Sequence, residues 1–306
     1  MAAVLNSNVA SLWASKNLQG AQSKMADSVE RLSSGLRINR ASDDAAGLGI
    51  ANALTQQING ANQGVRNLND GISMVQTAEG AIAAAQEMGQ RILTLATQGA
   101  NGTIGDTERG SIQSEMRQLL TAIDSIGGRT KFSGNSLLNQ VIAGTGTGFA
   151  LQVSNNTGDT ISLSEAAFRK IGVGTTAGSI SAGSTDFATG QASALANAVN
   201  GSNITGGTAA QAATAFQAVQ TAASSYITSL STQRSLLGAY QNQIEFTVSN
   251  TTELASNLSA ARSSVQDTDY ASETANLTKG QILQQAATAM LAQANQMPNV
   301  ILSLLK

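Results

Sequence analysis

The chain has no cysteine and no histidine in its 306 residues. Their absence excludes Ser-His-Asp and Cys-His nucleophilic catalysis, thiolate chemistry and the usual zinc, haem and iron–sulfur ligand sets. No disulfide framework constrains the compartment. Charge is sparse: 12% of residues are charged, for a formal net charge of −2. That argues against nucleic acid and against an anionic membrane surface as partners. No apolar run approaches the roughly 18–20 residues that span a bilayer. The start, MAAVLNSNVASLWASK, has no basic stretch before an apolar core and no cleavage signature, so it is not a Sec signal peptide. Proline occurs once, at Pro298, and aromatics are 3% of the chain. Small side chains suit thin helix–helix seams better than one thick core.

What is present is a 3-4 apolar spacing held over many turns. From Leu54 it runs through Ile58, Ala61, Val65, Leu68, Ile72 and Val75, breaks at Glu79 and resumes at Ile82. A second run is Ile112, Met116, Leu119, Ile123, Ile126. The longest goes from Phe216 through Tyr226, Leu230, Gln233, Leu237, Tyr240, Ile244 and Leu254 to Val265. At ~1.5 Å per residue it predicts a helix of roughly 75 Å, and spacing sustained this far predicts supercoiled helices packed side by side.

Both ends repeat the theme. Leu5, Val9 and Leu12 form a short stripe, followed by Leu18, Met25, Val29, Leu32 and Leu36. At the other end the stripe is Leu283, Ala287, Met290, Ala294, Met297, Ile301, Leu304, and it passes through Pro298, which predicts a kinked rather than a terminated helix. Val300, Ile301, Leu302, Leu304 and Leu305 crowd the last seven positions. Burying those five would contribute roughly 8–15 kcal/mol gross, so something must cover them. Two amphipathic ends of similar length are expected to pair. The fold expected is mainly α, an elongated hairpin-like rod of long coiled-coil helices made by paired N- and C-terminal arms.

Between the arms, Gly-rich loops lie at 99–107 and 127–136. Phe149, Leu151 and Val153 alternate, NNTGD (155–159) turns, and Ile161 and Leu163 alternate again, which predicts a β-hairpin. Residues 171–210 are rich in Gly, Ser, Thr and Ala with weak periodicity and read as a small or poorly specified surface insert.

Isolated motifs carry little chemistry. GTGTG (144–148) invites a phosphate-loop reading, but a strand follows it where a helix is needed, so it reads as a plain loop. In NRASDDAAGLGIA (39–51), Ser42 or Asp43 is expected to cap a helix carrying Asp44 in its first turn; two adjacent carboxylates are weak evidence for a cation. Asp267, Asp269 and Glu273 cluster beside Tyr270, where Arg31, Arg37 and Arg40 would meet them if the arms pair. Such ion pairs stabilise by about 0–1 kcal/mol but select register. Trp13, the sole tryptophan, reads as a core or subunit contact. No catalytic residue, metal site or cofactor emerges, and the expected protein is not an enzyme.

The blocks VLNSNVASLWASKNL, ERLSSGLRINRASDDAAGLGIA and NDGISMVQTAEGA, and the end ARSSVQDTDYASETANLTKGQILQQAATAMLAQANQMPNVILSLLK, resemble bacterial flagellin. The resemblance covers about residues 1–140 and 210–306, in order. It implies a structural subunit that self-assembles into the helical flagellar filament for motility, located outside the cell. The implied inner-core arms are residues 1–43 and 268–306. Residues 44–170 and the return helix 211–267 would form the outer layer, and 171–210 the variable insert. Assembly contacts are expected at Leu5, Val9, Leu12, Leu18, Met25, Val29, Leu32, Leu283, Met290, Met297, Ile301 and Leu304. The arms would stay partly disordered in the free chain and order on incorporation, in a heterologous helical association.

The resemblance also implies partners: the flagellar cap and hook-associated junction proteins, the export apparatus with a chaperone at the C-terminal arm, and the host Toll-like receptor for flagellin. The receptor's helical epitope resembles QRILTLATQGANGT (90–103) with IQSE (112–115), where Arg91, Leu95 and Glu115 match. Leu93, Thr94 and Thr97 depart from the Arg, Glu and aliphatic residues of the strong pattern, and Trp13 departs from a polar residue. The alternatives are a hook–filament junction protein, a flagellin bearing an inserted enzyme, and a secreted monomeric ligand or adhesin. Forty weakly patterned residues without His exclude an inserted metalloprotease.

Overall fold

The computed structural model describes residues 8–138, 148–172, 187–201, 204–205 and 208–304, with side chains described except at 165, 187–190 and 297–304. Leu5 and residues 144–147 of the GTGTG run lie outside the described residues, as do the side chains of Met297, Val300, Ile301, Leu302 and Leu304, and all of Leu305. The elements are α1 (Val9–Ser34), α2 (Ala45–Gly99), α3 (Asp106–Arg129), β1 (Lys131–Phe132), β2 (Asn135–Ser136), β3 (Ala150–Gln152), β4 (Thr160–Ser162), a 3-10 turn (Glu165–Phe168), α4 (Phe187–Asn200), α5 (Ala209–Gln266) and α6 (Tyr270–Leu304). The architecture is mainly α. Two units divide it: Met1–Asn59 with Ala255–Lys306, and Gly60–Leu254.

Helix ends follow local chemistry. Asp44 caps α2, its Oδ1 accepting from the Gly47 N–H at 2.9 Å. The cap therefore sits one residue beyond Asp43 and two beyond Ser42, the expected positions. Asp43 instead accepts from the Asn39 and Arg40 N–H groups at 3.1 and 2.9 Å, closing the turn that precedes the cap. α6 runs on through Pro298, as its unbroken stripe predicts.

In the unit 60–254 one continuous core joins the inner face of α2 (Leu68, Val75, Ile82, Ile92) to α3 (Met116, Ile123) and α5 (Phe216, Tyr226, Leu237, Ile244). The hairpin β3–β4, with Leu151 opposite Ile161, reaches this core through Val153 and Ile161. It does so over a glycine saddle on α2. A Cβ on Gly64 would fall within the Val153 carbonyl, one on Gly71 would strike the Leu151 side chain, and one on Gly60 would meet Asn155. Between those glycines, the Asn67 amide donates to the Gln152 carbonyl at 3.0 Å. Removing three side chains from one helical face lets backbone approach backbone. A second, tighter hairpin joins β1 to β2 through Ser133 and Gly134, both at positive φ (49° and 85°), the turn that matches strand twist.

The break at Glu79 has a structural counterpart. Arg234 of α5 donates to Glu79 and Gln86, one heptad apart on α2, at 3.3 and 3.1 Å. Beside it Gln233 is buried, with both amide atoms unpartnered. A polar layer of this kind in an apolar seam tolerates only one register.

The stretch 171–210, expected as a surface insert, contains α4, whose Ala192, Leu195, Ala196 and Val199 are buried in the same core. Gln113 of α3 is buried too and donates to the Val199 carbonyl at 2.7 Å. Ala and Ser carry a weak apolar signal, so a helix built from them escapes a periodicity search keyed to large side chains.

Replacing Gly64 with Ala should force the hairpin off α2 and cost about 1–3 kcal/mol. For a domain of this size that is a Tm loss of about 2–4 °C per kcal/mol. Gly80, with open space around its Cβ position, is the control: G80A should stabilise by about 0.5–1 kcal/mol. Calorimetry finding equal shifts for both would contradict the saddle.

Candidate assembly interface

In the other unit, α1 lies along α6, and the residues that fill the seam are small. Ala14, Ala21 and Ser28 recur every seventh position on α1 and are buried. On α6, Glu273, Gly280, Ala287 and Ala294 recur at the same interval and are buried in turn. The intervening layer is half-buried: Leu18, Met25 and Leu32 on α1, Leu277, Gln284 and Leu291 on α6. This 3-4 alternation, with a small residue at every heptad except Glu273, brings the two backbones close. At Gly280 a Cβ would already touch Met25.

The far end of the pair is pinned by polar groups. Asn8 caps α1 by accepting from the Ser11 N–H at 3.1 Å, and its amide donates to the Ala294 carbonyl at 2.7 Å. Ser11 Oγ donates to Asn295 Oδ1 at 3.0 Å. The near end is a backbone clip. Gly35, at φ 72°, ends α1. Beyond it Leu36 bridges Asp267, the Arg37 N–H donates to the Gln266 carbonyl at 2.6 Å, and the Thr268 N–H donates to the Gly35 carbonyl at 2.9 Å.

Arg37 and Arg40 do not meet the acids as expected. Arg37 donates to the Val265 carbonyl and Arg40 pairs with Glu30 of its own segment at 2.7 Å. Each acid has local work: Asp267 accepts from Ser263, Asp269 accepts from the Ala271 N–H at the start of α6, and Glu273 is sunk in the seam. Local partners take up Arg37, Arg40, Asp267 and Asp269 before these side chains can reach across.

Small residues at the seam leave the large ones outside. Val9, Leu12, Val29, Leu283 and Met290, all expected as assembly contacts, are exposed, as is Ile282. Trp13 is 62% exposed and so is not a core residue of this chain. Trp13, Val9, Leu283 and Met290 line a groove of about 1100 Å³ along the α1–α6 pair. An exposed apolar face of this kind is typical of protein–protein interaction sites.

The family model for the bacterial flagellin N-terminal helical region matches residues 5–143, and that for the C-terminal helical region matches 208–305. The flagellin of Bacillus subtilis is 38% identical over 307 aligned residues, covering 99% of each chain. That of Halalkalibacterium halodurans is 36% identical over 303, covering 99% of this chain and all of the relative. Polar flagellin F of Vibrio parahaemolyticus is 35% identical over the full length of both. A crystal structure of Bacillus cereus flagellin is similar at 27% identity and TM-score 0.43, covering 64% of this chain and 94% of that one.

The chain belongs to the bacterial flagellin family. It is a structural subunit of the flagellar filament, an extracellular polymer of its own kind. In this flagellin no group of three or more His, Cys, Asp or Glu able to hold a metal ion occurs among the described residues, and no described helix is long and apolar enough to cross a membrane.

The residues expected to form a receptor epitope divide. Arg91 and Glu115 are exposed and joined, Arg91 Nε and Nη2 both donating to Glu115 Oε1 at 3.0 and 2.8 Å. Leu95 is 2% exposed and belongs to the core. It offers no surface to a receptor. A leucine at an inner heptad position is as consistent with packing as with recognition, and the structure shows packing.

Asp43 is titratable and informative. The Arg40 and Asn39 amides, with the Arg31 and Arg40 charges, hold its carboxyl below the usual value of 3.8. A depressed folded-state pKa stabilises the turn above pH 3.8, and that contribution is lost as pH falls through the lower folded value. Amide-exchange protection at Asn39 and Arg40 should drop over that acid range in the native chain and show no such transition in Asp43→Asn. Identical profiles would contradict the turn's dependence on this carboxylate.

Proposed function

We propose that polymerisation of this flagellin is driven by covering the outward faces of α1 and α6 with neighbouring copies. The observation that carries the reading is the inversion of the arm pair: small residues face in, while Val9, Leu12, Trp13, Leu283 and Met290 face water. Covering seven such side chains, Val29 and Ile282 included, would contribute on the order of 10–20 kcal/mol gross. Ordering the arms and losing translational freedom costs about 4–15 kcal/mol of that. Growth is therefore slow and needs a preformed end, while the finished seam is stable. The contact is heterologous and repeats without closing, which gives a helix.

On this reading the arms 1–43 and 268–306 form the inner layer, with Leu5, Leu18, Met25, Leu32, Met297, Ile301 and Leu304 joining the exposed set in assembly contacts. Residues 44–170 and 211–267 form the outer layer. The chain works without catalysis; a composition lacking His and Cys supports that. It leaves the cell through the flagellum's own export apparatus. A chaperone covering the C-terminal arm, the filament cap and the hook-associated junction proteins are its further partners. The host Toll-like receptor would meet the exposed Arg91–Glu115 pair, with Leu95 acting from the core by holding α2 in place.

Seeded growth followed by negative-stain electron microscopy tests the assembly reading. The full chain should extend filament fragments into long tubes. A variant lacking 294–306, and the double variant Leu12→Ser, Trp13→Ser, should stay monomeric. Compact monomers with protease-resistant ends in all three would overturn it.

A further inference from the structure

This flagellin carries sulfur only as thioether: seven methionines and no cysteine. Two-electron oxidants that elsewhere consume thiols are left with methionine as the soft target. The fold grades the described methionines by access. Met74 and Met116 are buried, Met25 and Met88 half-buried, and Met290 is 61% exposed. Met290 also stands on the groove beside the α1–α6 seam, with Trp13, Val9 and Leu283.

We infer that Met290 is a peroxide-sensitive oxidation site whose state decides whether a free subunit can join the filament. The inference rests on the assembly reading above. In the step, a sulfur lone pair attacks one oxygen of hydrogen peroxide and the O–O bond breaks. Sulfur gives up two electrons and becomes the sulfoxide, and the displaced hydroxide takes the remaining proton to leave as water. The product is a polar, chiral group on a face that works by being apolar. In the open groove water solvates the new oxygen. When a neighbour covers the groove that water must go, and the oxygen then needs a donor. Lys16, a nearby cation on the groove, lies over the Trp13 ring, 6.0 Å from its centre. Oxidation thus opposes incorporation, whereas a subunit already incorporated has Met290 covered. The device acts on free subunits and spares the polymer.

The test treats the full-length monomer with hydrogen peroxide, maps sulfoxides by peptide mass spectrometry over time, and measures elongation from untreated seeds. Met290 should oxidise at least about tenfold faster than Met116, and elongation should slow about tenfold or more, a penalty of about 1.4 kcal/mol or greater. Methionine sulfoxide reductase should restore the rate. In Met290→Leu the ratio of treated to untreated elongation should stay near one. Oxidation of Met290 no faster than Met116, elongation unmoved by its sulfoxide, or equal peroxide sensitivity in the variant would each overturn the inference. Reductase rescue of the native chain decides the matter if the variant itself does not elongate. Failure of the untreated native chain to extend seeds sinks the assembly reading, and this inference with it.

Discussion

Close approach of the two arm helices is the constraint on which the rest depends: Glu273 apart, the buried residues that recur at every seventh position of their seam are small. Ala14, Ala21 and Ser28 face a row of Glu273, Gly280, Ala287 and Ala294. A close pair buries little apolar area per turn, so by itself it stabilises weakly. The polar pins at Asn8 and Ser11 and the backbone clip at Leu36–Asp267 fix its register instead. What the seam gives up in area, the outer faces retain. A globular protein would turn those leucines inward; here Leu12 and Leu283 stay in water, where the proposed assembly would cover them.

The unit 60–254 follows a different rule. Its long core of Leu, Ile, Val and aromatic residues is complete within the chain. Its precision comes from positions where side chains are missing or polar. The Gly60–Gly64–Gly71 face accepts the hairpin backbone, and the Arg234 fork on Glu79 and Gln86 sets the sliding position of α5 on α2. One unit closes its core within the chain, whereas the arms leave large apolar residues in water.

Much of this was legible in the sequence because large apolar residues at 3-4 spacing over dozens of residues admit few other readings. The helices of both units, the hairpin with its NNTGD turn, and the pairing of the ends all follow from that pattern. The details that escaped share a cause. A search for large side chains assigns Leu283 and Met290 to the seam, whereas small neighbours draw the helices so close that Leu277 and Leu291 occupy it and those two are displaced outward. The same bias hid the buried face of α4, built on Ala192 and Ala196. The seven-residue recurrence of Ala14, Ala21 and Ser28 was the signal that would have found the seam. The cap at Asp44 lay just beyond its expected positions because three adjacent polar residues all suit a cap, and only geometry selects among them.

On the proposed assembly, outward-facing side chains of the arms become buried when the chain polymerises. The single tryptophan reports it directly, since Trp13 is exposed on that face and no other indole contributes. Emission recorded during seeded growth should move to shorter wavelength with the same time course as the rise in light scattering. An unshifted spectrum in fully formed filaments would mean that Trp13 stays in water, and that the groove beside the α1–α6 seam is not where subunits meet.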